Sequence, residues 1–170
     1  MSTRHITADT TLGELTIVAT DDAITGLYFL DHIRRPAQET FGPEVSGDSD
    51  ELLARASRQL SEYLTRSRRV FDLPFSVEGD AFQRAVWDIV AEIPFGETTT
   101  YGAIAERIGD RALAQSVGQA VGTNPLCIFV PCHRVLGANG KLTGYAGGLT
   151  RKQALLELEN PALVNFFFVS

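Results

Sequence analysis

Long apolar runs are missing from this 170-residue chain: no stretch approaches the eighteen or so residues that a membrane-spanning helix needs. The polar start Met1-Ser2-Thr3-Arg4-His5 carries no secretory h-region, so the expectation is a soluble protein of the cytoplasm. Cysteine is scarce. Cys127 and Cys132 stand too close together for a comfortable loop-closing staple and lack CxxC spacing, which fits free thiols in a reducing compartment. There is no glycine-rich nucleotide loop, and His5 and His32 lack metal-ligand spacing and read as solvated or hydrogen-bonded side chains. Neither a metal nor a cofactor is expected. Positive charge is also short, and a formal charge of -6 argues against nucleic-acid binding through bulk electrostatics, which requires clustered Lys and Arg. The deficit is uneven: residues 1–80 hold 8 basic and 14 acidic side chains, residues 81–170 hold 7 of each. If the second half meets DNA, backbone amides, helix N-termini and a few arginines must carry the phosphate contacts.

An apolar fraction of 44% supports a real core in one ordinary domain or two small ones. Leu12 to Val18 alternates, and Ile24 to Leu30 is a second apolar run beyond Asp21-Asp22, so a β-hairpin is expected. Residues 34–50 are rich in breakers and charge and read as a long exposed loop. Leu52, Leu53, Ala56, Leu60, Tyr63 and Leu64 recur at helical spacing; Phe71, Leu73, Phe75 and Val77 alternate as a third strand. Asp80 with Gln83 has the capping-box pattern ahead of Phe82, Val86, Ile89, Val90 and Ile93, and Pro94 stops that helix. One of Thr98, Thr99 and Thr100 caps the next helix, Tyr101 to Ile108, which ends at Gly109. A third runs from about Leu113 to Val121. Two short helices about Gly109-Asp110 suggest a helix-turn-helix, although many helical hairpins bind nothing. Ser116, Gly118 and Ala120 admit close approach of another surface or, equally, of a neighbouring helix. The reading is an α+β chain: residues 1–79 as a small antiparallel sheet with a helix, residues 80–170 as a helical domain. The run Asn165-Phe166-Phe167-Phe168 is expected to pack back onto the body.

Chemistry concentrates at Pro131-Cys132-His133-Arg134-Val135. A thiol attacks only as its thiolate, and with an unperturbed pKa of about 8.5 it needs a group to take its proton. His133 is adjacent and Glu159 falls on an expected helix, so a carboxylate, imidazole and thiol chain forms if the fold brings them together. Taken alone, Cys132 is more often a buried small hydrophobe than a nucleophile. Cys127 is read as packed in a strand, with no chemistry.

The surrounding text, with Asn124-Pro125, Ile128-Phe129-Val130-Pro131 and Gly144-Tyr145-Ala146-Gly147-Gly148-Leu149, closely resembles the O6-alkylguanine-DNA alkyltransferases, also called methylated-DNA:protein-cysteine methyltransferases. The match runs from about Phe82 to Glu159 without a gap; the first half is similar only in layout. The resemblance implies a ribonuclease-H-like first domain and a winged helix-turn-helix in the second. It also implies direct-reversal repair of double-stranded DNA carrying alkylated bases, acting from the minor groove by a monomer, with cooperative binding left open. The damaged guanine must leave the stack, since a stacked base is closed to a side chain. Cys132 is then expected to take the alkyl group from O6-alkylguanine, with O4-alkylthymine as an open second substrate, and to keep it, so the protein is consumed. By the same resemblance His133 deprotonates Cys132 through a water, Glu159 fixes the imidazole, and Tyr101 protonates the departing guanine. The carbonyls of Cys132 and Val135 are expected to accept from the guanine amino group. Tyr145, Ala146 and Gly147 belong to a lid whose amide meets the guanine oxygen, and Asn124 ties the recognition helix to the active-site segment. Val121 falls at a base-contacting position on that helix, and the small Gly118 is expected to allow close approach of DNA.

One departure stands out. Where the family usually places an arginine that fills the hole left by the extruded base, this chain has Gln115, and Arg111 is near enough in sequence to substitute. Arg134 is read equally well as a structural ion pair and stays outside the catalytic set. Three rivals remain: a Cys-His hydrolase, a DNA-binding sensor without chemistry, and a thiol redox protein. Turnover separates the first from a protein consumed by its reaction, the intact cysteine argues against the second, and the absence of a resolving partner at motif distance argues against the third.

Overall fold

Three strands, Thr3–Thr10 (β1), Gly13–Thr20 (β2) and Ala23–Phe29 (β3), form an antiparallel sheet in the order β1-β2-β3. The structure, a computed structural model, describes residues 2–165, so the apolar run from Phe166 to Phe168 lies outside the described residues. The chain divides into two compact units, Met1–Val77 and Glu78–Ser170. The fold is α+β, a sheet unit followed by a helical one.

In the first unit β2 is the central strand, and five successive residues, Leu15 to Ala19, are buried. Such a strand is covered on both faces. Helix α1 (Glu51–Leu64) packs on the sheet through Leu53, Ala56, Leu60 and Tyr63, which share one face. The Asp50 side chain caps it by accepting from the Leu53 N–H at 3.0 Å. Residues 34–50 do not simply run exposed: Phe41 is buried and stacks on Tyr28 with ring centroids 5.3 Å apart.

Two strand expectations need correction. β1 carries buried Ile6 and His5 but lies in a stretch too polar to read as a strand, and it forms by full pairing with β2 from Thr3↔Thr20 to Thr10↔Gly13. Residues 71–77 alternate but form no ladder; Phe75 makes a single parallel bridge to Ile24, fixed by Ile24 N–H to Pro74 O and Ser76 N–H to Ile24 O. Pro74 has no N–H, and its restricted backbone ends the pairing there.

The second unit opens with α2 (Ala81–Ala91), and both arms of its capping box are present: Gln83 N–H to Asp80 at 2.7 Å and Asp80 N–H to Gln83 at 3.0 Å. Thr100 caps α3 (Tyr101–Ile108), and a 3-10 turn (Arg111–Leu113) leads into α4 (Ala114–Gly122). Trp87 locks α2 to α4 by donating its indole N–H to the Ala120 carbonyl at 2.8 Å. Thr99–Thr100 (β4) pairs in parallel with Val135–Leu136 (β5), which places the start of α3 beside the segment carrying Cys132. Helix α5 (Leu149–Glu159) ends on Glu159.

Candidate active site

Cys132, His133 and Arg134 form a single 3-10 turn after Pro131, and all three are buried. The turn is delivered by a tight loop in which Val130 N–H reaches Leu126 O and Cys132 N–H reaches Val130 O. Cys127 sits in that loop and not in a strand, because Ile128 adopts φ 71° and reverses the chain. A β-branched residue in the left-handed region costs about 1 to 3 kcal/mol and persists only where its surroundings enforce it. Asn124 is part of the enforcement: it donates to Val130 O at 2.9 Å and accepts from the Leu126 N–H at 3.0 Å. Its side chain also hydrogen-bonds Cys132, so the residue following α4 is tied to the nucleophile's loop.

Glu159 is the hub of the charged network. Its carboxylate accepts from His133 Nε2 at 2.8 Å, from Arg134 Nε and Nη2 at 2.8 Å each, and from the Gly96 N–H at 3.2 Å. These four donors occupy about all the lone-pair sites that two oxygens offer. Burial alone would raise the Glu159 pKa, but the hydrogen bonds from His133 and Arg134 outweigh it and hold the carboxyl well below the usual carboxylate range. An ionised carboxylate only accepts, so Nε2 of His133 must carry a proton. Burial pushes the His133 pKa below 6.5 against the pull of Glu159, which keeps the ring neutral and leaves Nδ1 as its basic atom. Arg134 is therefore the ion pair allowed for above, and its Nη1 is anchored on the Ile93 carbonyl at 2.6 Å.

Cys132 rests as a thiol. Burial raises its pKa, while the Asn124 hydrogen bond, the Lys152 charge and the backbone amides of Cys132 and His133 favour the thiolate once formed. Burial also raises the Tyr101 pKa, so the phenol stays protonated, and it donates to the Thr143 carbonyl at 3.4 Å. Both carbonyls expected to meet a guanine already accept one internal bond: Cys132 O from the Val135 N–H, and Val135 O from Lys152 Nζ at 2.6 Å. Each keeps a second lone pair.

Lys152 is the residue that the sequence analysis missed. It is fully buried on α5 and donates to three backbone carbonyls. The signal was in the text: Lys152, Leu155, Leu156 and Glu159 fall at i, i+3, i+4 and i+7, one buried stripe with a charge at each end.

The remaining residues fall into two groups. Tyr145 is buried and hydrogen-bonds Cys127, with Ala146 and Gly147 beside it. The positive φ angles of this segment belong to Gly144 (48°) and Gly148 (95°), backbone conformations that glycine adopts without strain. On α4, Gln115, Ser116 and Gln119 are exposed, Val121 is buried, and a Cβ at Gly118 would lie 3.8 Å from the Tyr101 ring. Arg111 is folded back: it pairs with Glu106 at 3.2 Å, and a Cβ built on Gly102 would fall within its guanidinium.

On a helical unit preceded by a small sheet unit, a buried cysteine stands next in the chain to a buried imidazole–carboxylate pair, the parts of a cysteine-centred site. Comparison with known proteins makes this specific. Residues 3–77 match the ribonuclease-like domain of 6-O-methylguanine DNA methyltransferase, and residues 81–161 match its DNA binding domain. The chain belongs to the 6-O-methylguanine DNA methyltransferase family. A methylated-DNA--protein-cysteine methyltransferase of Mycolicibacterium paratuberculosis is 43% identical, over 95% of this chain and 96% of its own. The solved O6-methylguanine methyltransferase of Mycobacterium tuberculosis superposes with a TM-score of 0.83 at 40% identity, covering 94% of each chain. A structure of the Mycobacterium tuberculosis protein in complex with DNA has the same TM-score and identity, with 93% of each chain covered. No helix among the described residues is long and apolar enough to cross a membrane.

Proposed function

We propose that the protein repairs double-stranded DNA by moving the methyl group of O6-methylguanine onto Cys132 in one irreversible step. The observation that carries this reading is the saturated Glu159 carboxylate at 2.8 Å from His133 Nε2, because it dictates a ring whose other nitrogen is a base, on the residue next to the thiol. The relatives named above act on methylated DNA or are solved bound to DNA. The helical unit supplies both DNA binding and transfer, with the exposed side of α4 at Gln115, Ser116 and Gln119 facing the duplex.

The reaction balances without a cofactor. The Cys132 proton passes to His133 Nδ1 through a water, and the imidazolium that forms is stabilised by Glu159. Sulfur attacks the methyl carbon; the S–C bond forms as the C–O6 bond breaks, and the electron pair leaves with guanine. Tyr101 donates its phenolic proton to that anion and is reprotonated from the site. The net change is methyl onto sulfur and one proton onto guanine. Asn124 and two backbone amides stabilise the thiolate at the moment of attack; Val135 O and the Tyr145 to Gly147 segment hold the extruded base. A reducing cytoplasm suits a protein that spends a free thiol.

Titrating a fixed amount of protein with O6-methylguanine duplex tests the reading. Repaired lesions are expected to plateau at one per protein molecule, and continued turnover past that plateau overturns the stoichiometric scheme.

A further inference from the structure

Lys152 has no place in the scheme above, yet its setting is specific. Its ammonium donates to Val135 O at 2.6 Å, Thr143 O at 2.6 Å and Gly144 O at 3.1 Å, so all three N–H groups are used. These carbonyls come from two separate segments, the strand that follows Cys132 and the loop that leads to Tyr145. Thr143 O is also the acceptor of the Tyr101 hydroxyl, and Lys152 Nζ lies 5.9 Å from the centre of the Tyr101 ring. Helix stability does not account for this cation. It stands in the first turns of α5, with Glu159 at the last residue, which is the reverse of what the helix dipole favours at both ends. Burial also works against it, pulling the Lys152 pKa down to about 8; the ammonium is still the main form at neutral pH, with Cys132 and Tyr101 as the groups facing it and His133 feeling its charge.

We propose that Lys152 is a positioning residue: it fastens the Thr143–Gly144 end of the lid segment to the strand carrying Val135, and so sets the Tyr101 phenol through the Thr143 carbonyl that both side chains share. The functional part rests on the reading that this segment closes on an extruded guanine; the fastening itself does not.

The experiment uses the full chain without DNA for the fastening and with DNA for its consequence. Amide hydrogen exchange of peptides spanning residues 142–148 is compared in the parent, Lys152→Met and Tyr101→Phe, with single-turnover methyl transfer and duplex affinity measured on the same samples. In Lys152→Met, exchange in this segment should quicken by about tenfold or more, the scale of losing one charge-assisted hydrogen bond. Methyl transfer should slow by about 10- to 100-fold, as for a small misplacement of a reacting group, with undamaged duplex bound within about threefold of the parent. Tyr101→Phe should lose rate while its lid exchange stays at the parent level. If Lys152→Met does not fold, Lys152→Arg carries the test, and protection and rate must move together.

Unchanged lid exchange in Lys152→Met, or altered exchange with an unaltered rate, overturns the proposal. A lowered rate with full lid protection overturns it too, and assigns Lys152 directly to the chemistry. Failure of the parent to accept a methyl group is a separate result that concerns the function alone.

Discussion

Glu159 is the residue on which the site's electrostatics turn, because one carboxylate fixes the tautomer of His133 and neutralises Arg134 in a buried place. Glu159→Gln leaves Arg134 without its counter-charge and the imidazole without an obligatory acceptor. Thermal unfolding should report a loss of about 3 kcal/mol, and single-turnover methyl transfer should fall by about 10²-fold or more. The pH dependence follows from the same pair. A depressed Glu159 pKa contributes stability that is complete above 4.5 and is lost as the pH falls through the folded value. His133, with its pKa below 6.5 in the fold, contributes stability that is present above 6.5 and declines below it. Melting temperature should therefore drop on acidification from below pH 6.5. The transfer rate should persist through pH 6.5 and decline only at lower pH, where the ring finally charges. A rate that halves at 6.5 contradicts the buried neutral imidazole. At this scale Cys132, His133 and Glu159 were legible from the motif. Arg134 remained ambiguous, and the stripe through Lys152 was outweighed by the rule that a lone cation in a sequence is far more often solvated than buried.

Elements were legible where the residues that make them also end them. The capping box of Asp80 and Gln83, the threonines at 98–100 and Gly109 mark α2 and α3 in the sequence, and the structure uses the box, Thr100 among the three, and Gly109. Asp80→Ala should cost about 1 kcal/mol in chemical denaturation and leave transfer by the folded protein unchanged. β1 was not legible since its inward residues are few and its stability comes from pairing, a long-range term absent from local pattern. Residues 71–77 failed in the opposite direction, alternating correctly but interrupted by Pro74. On α4 the exposed Gln115 lacks the charge and planar face of an arginine, and Arg111 is held on α3 by Glu106. That pair is exposed and weak, so it yields readily. Gln115→Arg should tighten binding to damaged duplex by about fivefold, measured by fluorescence anisotropy. No gain would mean that Arg111 or another side chain already fills the gap.

For the molecule as a whole, the charge of -6 resides entirely in residues 1–80, and the half that meets DNA is neutral. Duplex affinity should depend only shallowly on salt, with a log-log slope near that of about two to three phosphate contacts. A steep slope would reveal a cationic surface that the sequence does not contain. The family's two-part layout was readable in outline, with the second half specific and the first only general; the comparisons supply the match for residues 3–77 that local pattern did not. Direct reversal requires that a duplex lesion disappears because its methyl group ends on one sulfur. The direct measurement is to incubate the protein with one equivalent of O6-methylguanine duplex, digest it and weigh the peptides containing Cys127 and Cys132. The expected result is the mass of one CH2 added at Cys132, with Cys127 unchanged and the lesion gone. A repaired duplex with Cys132 unmodified, or the methyl group found on Cys127, contradicts it.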